Sequence, residues 1–206
     1  TSIVSDIIVN TDTETGSKMI EELNNSASDS DLSLQVISGI SEKDTEKLNT
    51  LAENNEEQIQ TLTETAIKNA DATEESAELI ALVVANASDE LVNKVVEEVS
   101  KNSTDENQTL SAQVLKAIVD TEPNKLEIIN DDIKETMITQ TIESAQNQQE
   151  GTGIQQDQDM TSIVSDIIVN TDTETGSKMI EELNNSASDS DLSLQVISGI
   201  SEKDTE

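Results

Sequence analysis

Residues 1–46 read TSIVSDIIVNTDTETGSKMIEELNNSASDSDLSLQVISGISEKDTE, and the same letters return without one change as residues 161–206, an offset of 160 (161 minus 1). Undiverged copies at a fixed period are the mark of a tandem array, and this feature outranks any local motif because it shows what is being built. The first residue is Thr1 and Met160 precedes the second copy as ordinary sequence, so the chain reads as an excerpt from a longer polymer. Within the copied stretch, Ile3, Ile7 and Ile8 lead into Asn10-Thr11-Asp12. Met19, Ile20 and Leu23 follow, and then Leu32, Val36, Ile37 and Ile40 precede a break at residues 41–44. Recurrence at i, i+3, i+4 and i+7 predicts amphipathic helices.

The pattern continues outward. Leu48 and Leu51 are followed by Ile59, Leu62, Ala66 and Ile67. Leu79, Ile80, Leu82, Val83 and Val84 come next, then Leu91, Val92, Val95, Val96 and Val99. Leu110, Val114, Leu115, Ile118 and Val119 form another burst, and Leu126, Ile128, Ile129 and Ile133 run toward Met137, Ile138 and Ile142. Thr11 with Glu14, Asp71 with Glu74 and Ser103 with Glu106 match the capping-box spacing, and Pro123 suits the first turn of a helix. The predicted fold is all-α: tandem helical repeats, with short antiparallel helix pairs stacked as a solenoid or small bundle module. Residues 1–146 form the helical repeat module of about five helix pairs, a mean of roughly 32 residues and near the 34 of tetratricopeptide-type units. Residues 147–160 form a Gln/Gly/Asp-rich linker, and residues 161–206 begin the next identical module. Whether that linker is a hinge or a docked extension is open at this point. The competing reading makes strands of residues 1–9 and 92–99, where β-branched residues gather. A long coiled coil is disfavoured because the heptad phase breaks every dozen residues or so.

Composition removes several functions. The chain has 44 acidic residues against 11 basic ones and a formal charge of −33. This field repels nucleic-acid phosphate and anionic lipid. No His, Cys, Phe, Tyr or Trp is present, so imidazole or thiol catalysis, haem and iron-sulfur ligation, aromatic stacking and disulfide stapling lack their raw material. No apolar run approaches the length of a membrane span. An aliphatic core without a ring buries less area per side chain, so an isolated helix pair is expected to be weak and to lean on its neighbours.

The candidate site is a calcium loop. Asn10, Asp12 and Glu14 stand at alternate positions with Glu21 eleven residues after Asn10, a spacing similar to EF-hand ligands, and the copy repeats it at Asn170, Asp172, Glu174 and Glu181. The hand needs Gly at its sixth position, where Thr15 stands with Gly16 one residue late, so the competing reading is a capped helix turn. Asp29, Asp31, Asp131 and Asp132 are candidates for loose divalent binding or for plain solvated charge. Lys68, Lys94, Lys101 and Lys116 are read as lying among carboxylates on exposed helix faces. The Asn-X-Ser/Thr triplets at Asn24, Asn86, Asn102 and Asn107 matter only in a glycosylating host, and the methionines are read as core filler.

In its repetition, acidity and lack of Cys the chain resembles long tandem-repeat bacterial surface and structural proteins, and in architecture it resembles helical solenoids generally; no specific family motif is matched. The resemblance implies a non-enzymatic structural or spacer module of an extended filament, stalk or surface array; it favours the bacterial cell surface, while the absence of Cys is compatible with the cytoplasm as well and leaves the compartment open. Its partners would be neighbouring identical repeats, with self-assembly into filaments. The alternative is an acidic multivalent scaffold for divalent cations or basic proteins. No cofactor, nucleic acid or membrane insertion is expected, and each module should be roughly 50 Å long if ten helices stack in pairs.

Overall fold

A computed structural model describes residues 3–26, 30–68, 70, 73–103, 109–149, 159–186 and 190–203. The described residues form helices without a strand: α1 (Ile3–Val9), α2 (Thr13–Ser26), α3 (Ser30–Lys43), α4 (Thr45–Asn54), α5 (Glu56–Lys68), α6 (Glu74–Asn86), α7 (Asp89–Asn102), α8 (Leu110–Thr121), the 3₁₀ turn η1 (Pro123–Glu127), α9 (Asp131–Gln149), α10 (Met160–Asn170), α11 (Thr173–Ser186) and α12 (Ser190–Lys203).

The strand reading of residues 1–9 and 92–99 is overturned, because both stretches are helical from Ile3 onward and throughout α7. The β preference of Val is small beside the burial of a continuous stripe. In α7 that stripe is Leu91, Val92, Val95, Val96 and Val99, all buried. The helix-start chemistry lies slightly off the predicted boxes. Asp12, not Thr11, caps α2: the Thr15 amide donates to its Oδ1 at 2.9 Å and the Thr15 hydroxyl to its Oδ2 at 2.8 Å. Thr73 caps α6 by accepting the Ser76 amide at 3.2 Å, and Asp71 lies outside the described residues. Ser103 closes α7, and its hydroxyl also accepts the amide of Ser111, in the first turn of α8, at 2.7 Å; Glu106 also lies outside the described residues. Pro123 opens η1, which holds Leu126; Ile128 and Ile129 lie in the turn that follows, and Ile133 runs continuously into Met137, Ile138 and Ile142 in α9.

Helix ends share one device. Asn10, Asn54, Asn86, Asn102 and Asn170 each donate a side-chain amide to the carbonyl four residues back, at 2.7 to 3.0 Å. Each is a local side-chain bond at the end of its helix, and at Asn10 it adds to the bond that the backbone amide already makes to the Asp6 carbonyl.

Contacts link the helices in two series. One runs α1 to α3, α3 to α6, α6 to α8, α8 to α10 and α10 to α12. The other runs α2 to α5, α5 to α7, α7 to α9 and α9 to α11. α3 packs on α5 and α10 on α11, among other pairs that join the two series, while α4 bridges α2, α3 and α5. The main neighbours therefore skip along the chain. α8 lies between α6 and α10 and also meets α7 and α9, which explains why Leu110, Val114, Leu115, Ile118 and Val119 are buried on several sides of one helix. A single apolar cluster runs from Ile8 to Val196. Among the described residues, no helix is long and apolar enough to cross a membrane.

Of the Gln/Gly/Asp-rich segment, residues 147–149 continue α9 and Met160 is buried as the first residue of α10. Residues 150–158 lie outside those described. α10 is capped by Asp159 and packs on both α8 and α9, so the start of the second copy is docked on the preceding helices.

Candidate functional site

Identical letters occupy different environments in the two copies. Ile3 is 76% exposed on α1, whereas its counterpart Ile163 on α10 is 5% exposed. Ile7 is likewise exposed and Ile167 fully buried. On α2, Thr15 is exposed and Met19 half-buried, but Thr175 and Met179 on α11 are fully buried. The opposite face shows the reverse. Leu34 is 5% exposed and Leu194 63%; Ile37 is 2% exposed and Ile197 59%. Ile20 is buried where Ile180 is exposed. One face of the copied unit is covered where α8 and α9 precede it, and the other where α4, α5 and α6 follow it.

Polar links accompany this packing along the turns between helices. The Lys47 ammonium donates to the Thr11 carbonyl at 2.7 Å, and Lys125 does the same to the Ala87 carbonyl at 2.9 Å. The Asn49 side chain accepts the Ser88 amide at 2.9 Å, and Asn93 accepts the Asn130 amide at 2.8 Å while donating to the Ile128 carbonyl at 3.1 Å. Ion pairs join Lys43 to Asp6 and Lys94 to Glu56. Adding the Asn24–Gln58, Ser41–Leu82 and Gln140–Ser100 bonds, the partners are separated by 34 to 41 residues in sequence. Sequence reading reached only Lys94, among carboxylates, and Asn24, as a glycosylation triplet; it missed the others because partners so far apart are invisible to local spacing.

The calcium-loop candidates are placed as follows. Asp12 spends both carboxylate oxygens on Thr15, Asn10 donates back into α1, Glu14 pairs with Lys18 at 2.6 Å, and Glu21 is exposed on α2. In the second copy Asp172 accepts the amides of Glu174 and Thr175, each at 2.9 Å, and the Thr175 hydroxyl at 2.6 Å. Asn170 closes α10, Glu174 pairs with Lys178 at 3.1 Å, and Glu181 is exposed. Among the described residues, no three or more acidic side chains converge on a point that could hold a metal ion.

Hydrogen bonds from the Thr15 backbone and hydroxyl hold the Asp12 carboxyl below the usual aspartate value, with a further pull from Lys47. Burial pushes the Asp172 carboxyl up, but the bonds from Thr175 and the Glu174 backbone, with attraction from Lys134, outweigh that and leave it lowered. The same turn is thus faced by Lys47, from the helices that follow, in one copy and by Lys134, from the helices that precede, in the other.

Lys94, Lys101 and Lys116 bind carboxylates as expected. Lys101 is held by Glu98 at 2.7 Å and Glu97 at 2.9 Å, and Lys116 by Asp120 at 2.6 Å, while Lys68 is exposed. Hydrogen bonds to Glu98 and Glu97 push Lys101 well above the ordinary lysine value. Asn24 is bound to Gln58 and Asn86 and Asn102 close helices; Asn107, Asp29 and the side chain of Asp31 lie outside the described residues. A groove of about 300 Å³ between α6, α8 and α10 is bordered by Glu74, Glu78, Asp120, Asp159, Asp166 and Lys116. The chain matches no protein-family model, no curated protein and no solved structure.

Proposed function

We propose that this chain is a non-enzymatic structural module, a stack of helical layers whose product is length, as in a spacer, stalk or filament of tandem copies. The observation that carries this reading is the docking of the second copy: α10 and α11 continue the two contact series laid down by α8 and α9. On this reading the array is a solenoid of two helix rows, in which each layer is stabilised by its neighbours rather than by a closed core. Four layers, α1/α2, α3/α5, α6/α7 and α8/α9, fill each offset of 160, which gives about 40 residues per layer, within the repeat range of two-helix solenoids. Recurrent turn-to-turn bonds between partners 34 to 41 residues apart support the same pitch.

At a helix spacing of about 8 to 10 Å, each 160-residue copy then lengthens the stack by about 32 to 40 Å, shorter than a five-pair module would. Small-angle scattering tests this. Adding one further copy should raise the maximum dimension by that increment while the cross-section stays constant. A cross-section that widens with copy number would refute the stack in favour of a closed bundle. The surface charge supports a second role, diffuse attraction of cations or basic proteins to an acidic rod.

A further inference from the structure

We infer that each 160-residue copy is a pair of diverged halves, α1–α5 and α6–α9, and that the surface closing either half is a docking site for the opening helices of either half. The inference rests on the stacked reading and identifies what one half accepts from the next. Residues 32–40 of α3, LSLQVISGI, have their counterpart in residues 110–118 of α8, LSAQVLKAI, at an offset of 78 (110 minus 32). At the same offset Lys47-Leu48 matches Lys125-Leu126. Both lysines cross to the turn of the preceding layer, at Thr11 and Ala87, and each of these follows a helix-closing Asn. The contacts match in turn. α1 on α3, α3 on α6, α2 on α5 and α5 on α7 correspond to α6 on α8, α8 on α10, α7 on α9 and α9 on α11.

α6–α7 and α10–α11 are thus two occupants of one kind of surface, and their buried positions coincide. At an offset of 84 (161 minus 77), Ile80 and Val164, Leu91 and Thr175, Val95 and Met179, and Val99 and Leu183 are buried pair by pair. No pair shares a letter, so place is matched where sequence is not. The same offset relates Lys94 to Lys178. Lys94 pairs with Glu90 in its own helix and reaches Glu56 in the first turn of α5; Lys178 pairs with Glu174 and reaches Asp131 in the first turn of α9. An acid at the start of one helix and a lysine one turn into the next are therefore the common polar key of both junctions.

The test is an exchange within the full-length chain. Replacing residues 77–102 by the sequence of residues 161–186 sets the α10–α11 letters on the surface that α6–α7 occupy, and keeps lysine at position 94. This chain should retain wild-type helical circular dichroism and one melting transition within about 10 °C of wild type. The control inserts residues 159–184 instead, which moves the same helices by two places and turns their apolar stripe through about 200°. It should lose cooperative melting. An in-register exchange that melts no better than the control, or a control that melts as well as the in-register exchange, overturns the proposal. Zero-length carbodiimide cross-linking of the unaltered chain, read by mass spectrometry, needs no variant to fold. Links from Lys94 to Glu56 and from Lys178 to Asp131 are both expected, and the absence of either overturns the common key. The scattering length of the unaltered chain judges the stack by itself, so the two failures are distinguishable.

Discussion

Leu34 and Leu194 share sequence context, helix and local propensity, so truncating each to Ala isolates what the neighbouring layer contributes. Leu34 is 5% exposed and Leu194 63%. Removing the Leu34 side chain forfeits its transfer free energy and leaves a cavity between α3 and the helices that cover it, a cost of about 2 to 5 kcal/mol. Leu194 has little more than a third of its surface to lose and no enclosing wall, so Leu194→Ala should cost less than about 1 kcal/mol. The gap of about 2 kcal/mol corresponds to a roughly 30-fold difference in the folding equilibrium. Simple fraying of the second copy would also make Leu194 cheap, so the opposite face supplies the control. Ile163→Ala, at 5% exposure, should cost about 2 to 4 kcal/mol while Ile3→Ala, at 76%, should be nearly neutral. Urea unfolding followed by circular dichroism at low protein concentration reads all four. The expected result is a crossing, with the first copy costlier on one face and the second copy costlier on the other. Equal costs at Leu34 and Leu194, or the same copy proving costlier at both faces, would refute it.

Two glycines should respond with opposite sign. A Cβ on Gly16 would sit 3.5 Å from Ile8 and Leu51 methyl carbons, so Gly16→Ala should stabilise by about 0.5 to 1 kcal/mol, whereas a Cβ on Gly199 would lie 2.6 Å from the Ser165 hydroxyl oxygen, which bonds the Thr161 and Val196 carbonyls, and Gly199→Ala should lower the urea midpoint. The Asp172 cap should show a defined pH dependence. Its folded-state pKa is lowered from 3.8, so the penalty of Asp172→Ala, about 1 kcal/mol, is full above that pH and fades as pH falls through the lower folded value, as a pair of acid titrations followed by circular dichroism would show. With a formal charge of −33, the melting temperature should rise with sodium chloride, and calcium at matched ionic strength should add no saturable step; such a step would revive the Asn10, Asp12, Glu14 and Glu21 loop.

Helix placement was legible because the apolar spacing of α2, α5 and α7 is strong enough to override the β preference of valine. Pro123 likewise marked a helix start. Caps were legible only to within a residue or two, since Thr11, Asp12 and Thr13 all suit the position and Asp12 prevails by bonding Thr15 twice. The neighbour relations were not legible. The bursts of α5 and α6 are adjacent in sequence, yet α5 packs chiefly on α3, α7 and α2, and α6 on α8 and α3, because the fourth helix bridges rather than continues a series. The end faces were beyond sequence in principle: Leu34 and Leu194 are the same letter in the same context, and only what lies beside each distinguishes them.

The claim that the second copy docks as the next layers can be measured as one distance. Gln35 and Gln195 are the same position in the two copies, both are exposed, and the chain has no native Cys, so spin labels on Gln35→Cys and Gln195→Cys report the offset without background. α3 and α12 stand four contacts apart along their series, through α6, α8 and α10. Docked copies should give a single narrow distribution centred at about 32 to 40 Å. A broad distribution spread to longer distances would mean that the copies are joined by a free hinge, and would contradict it.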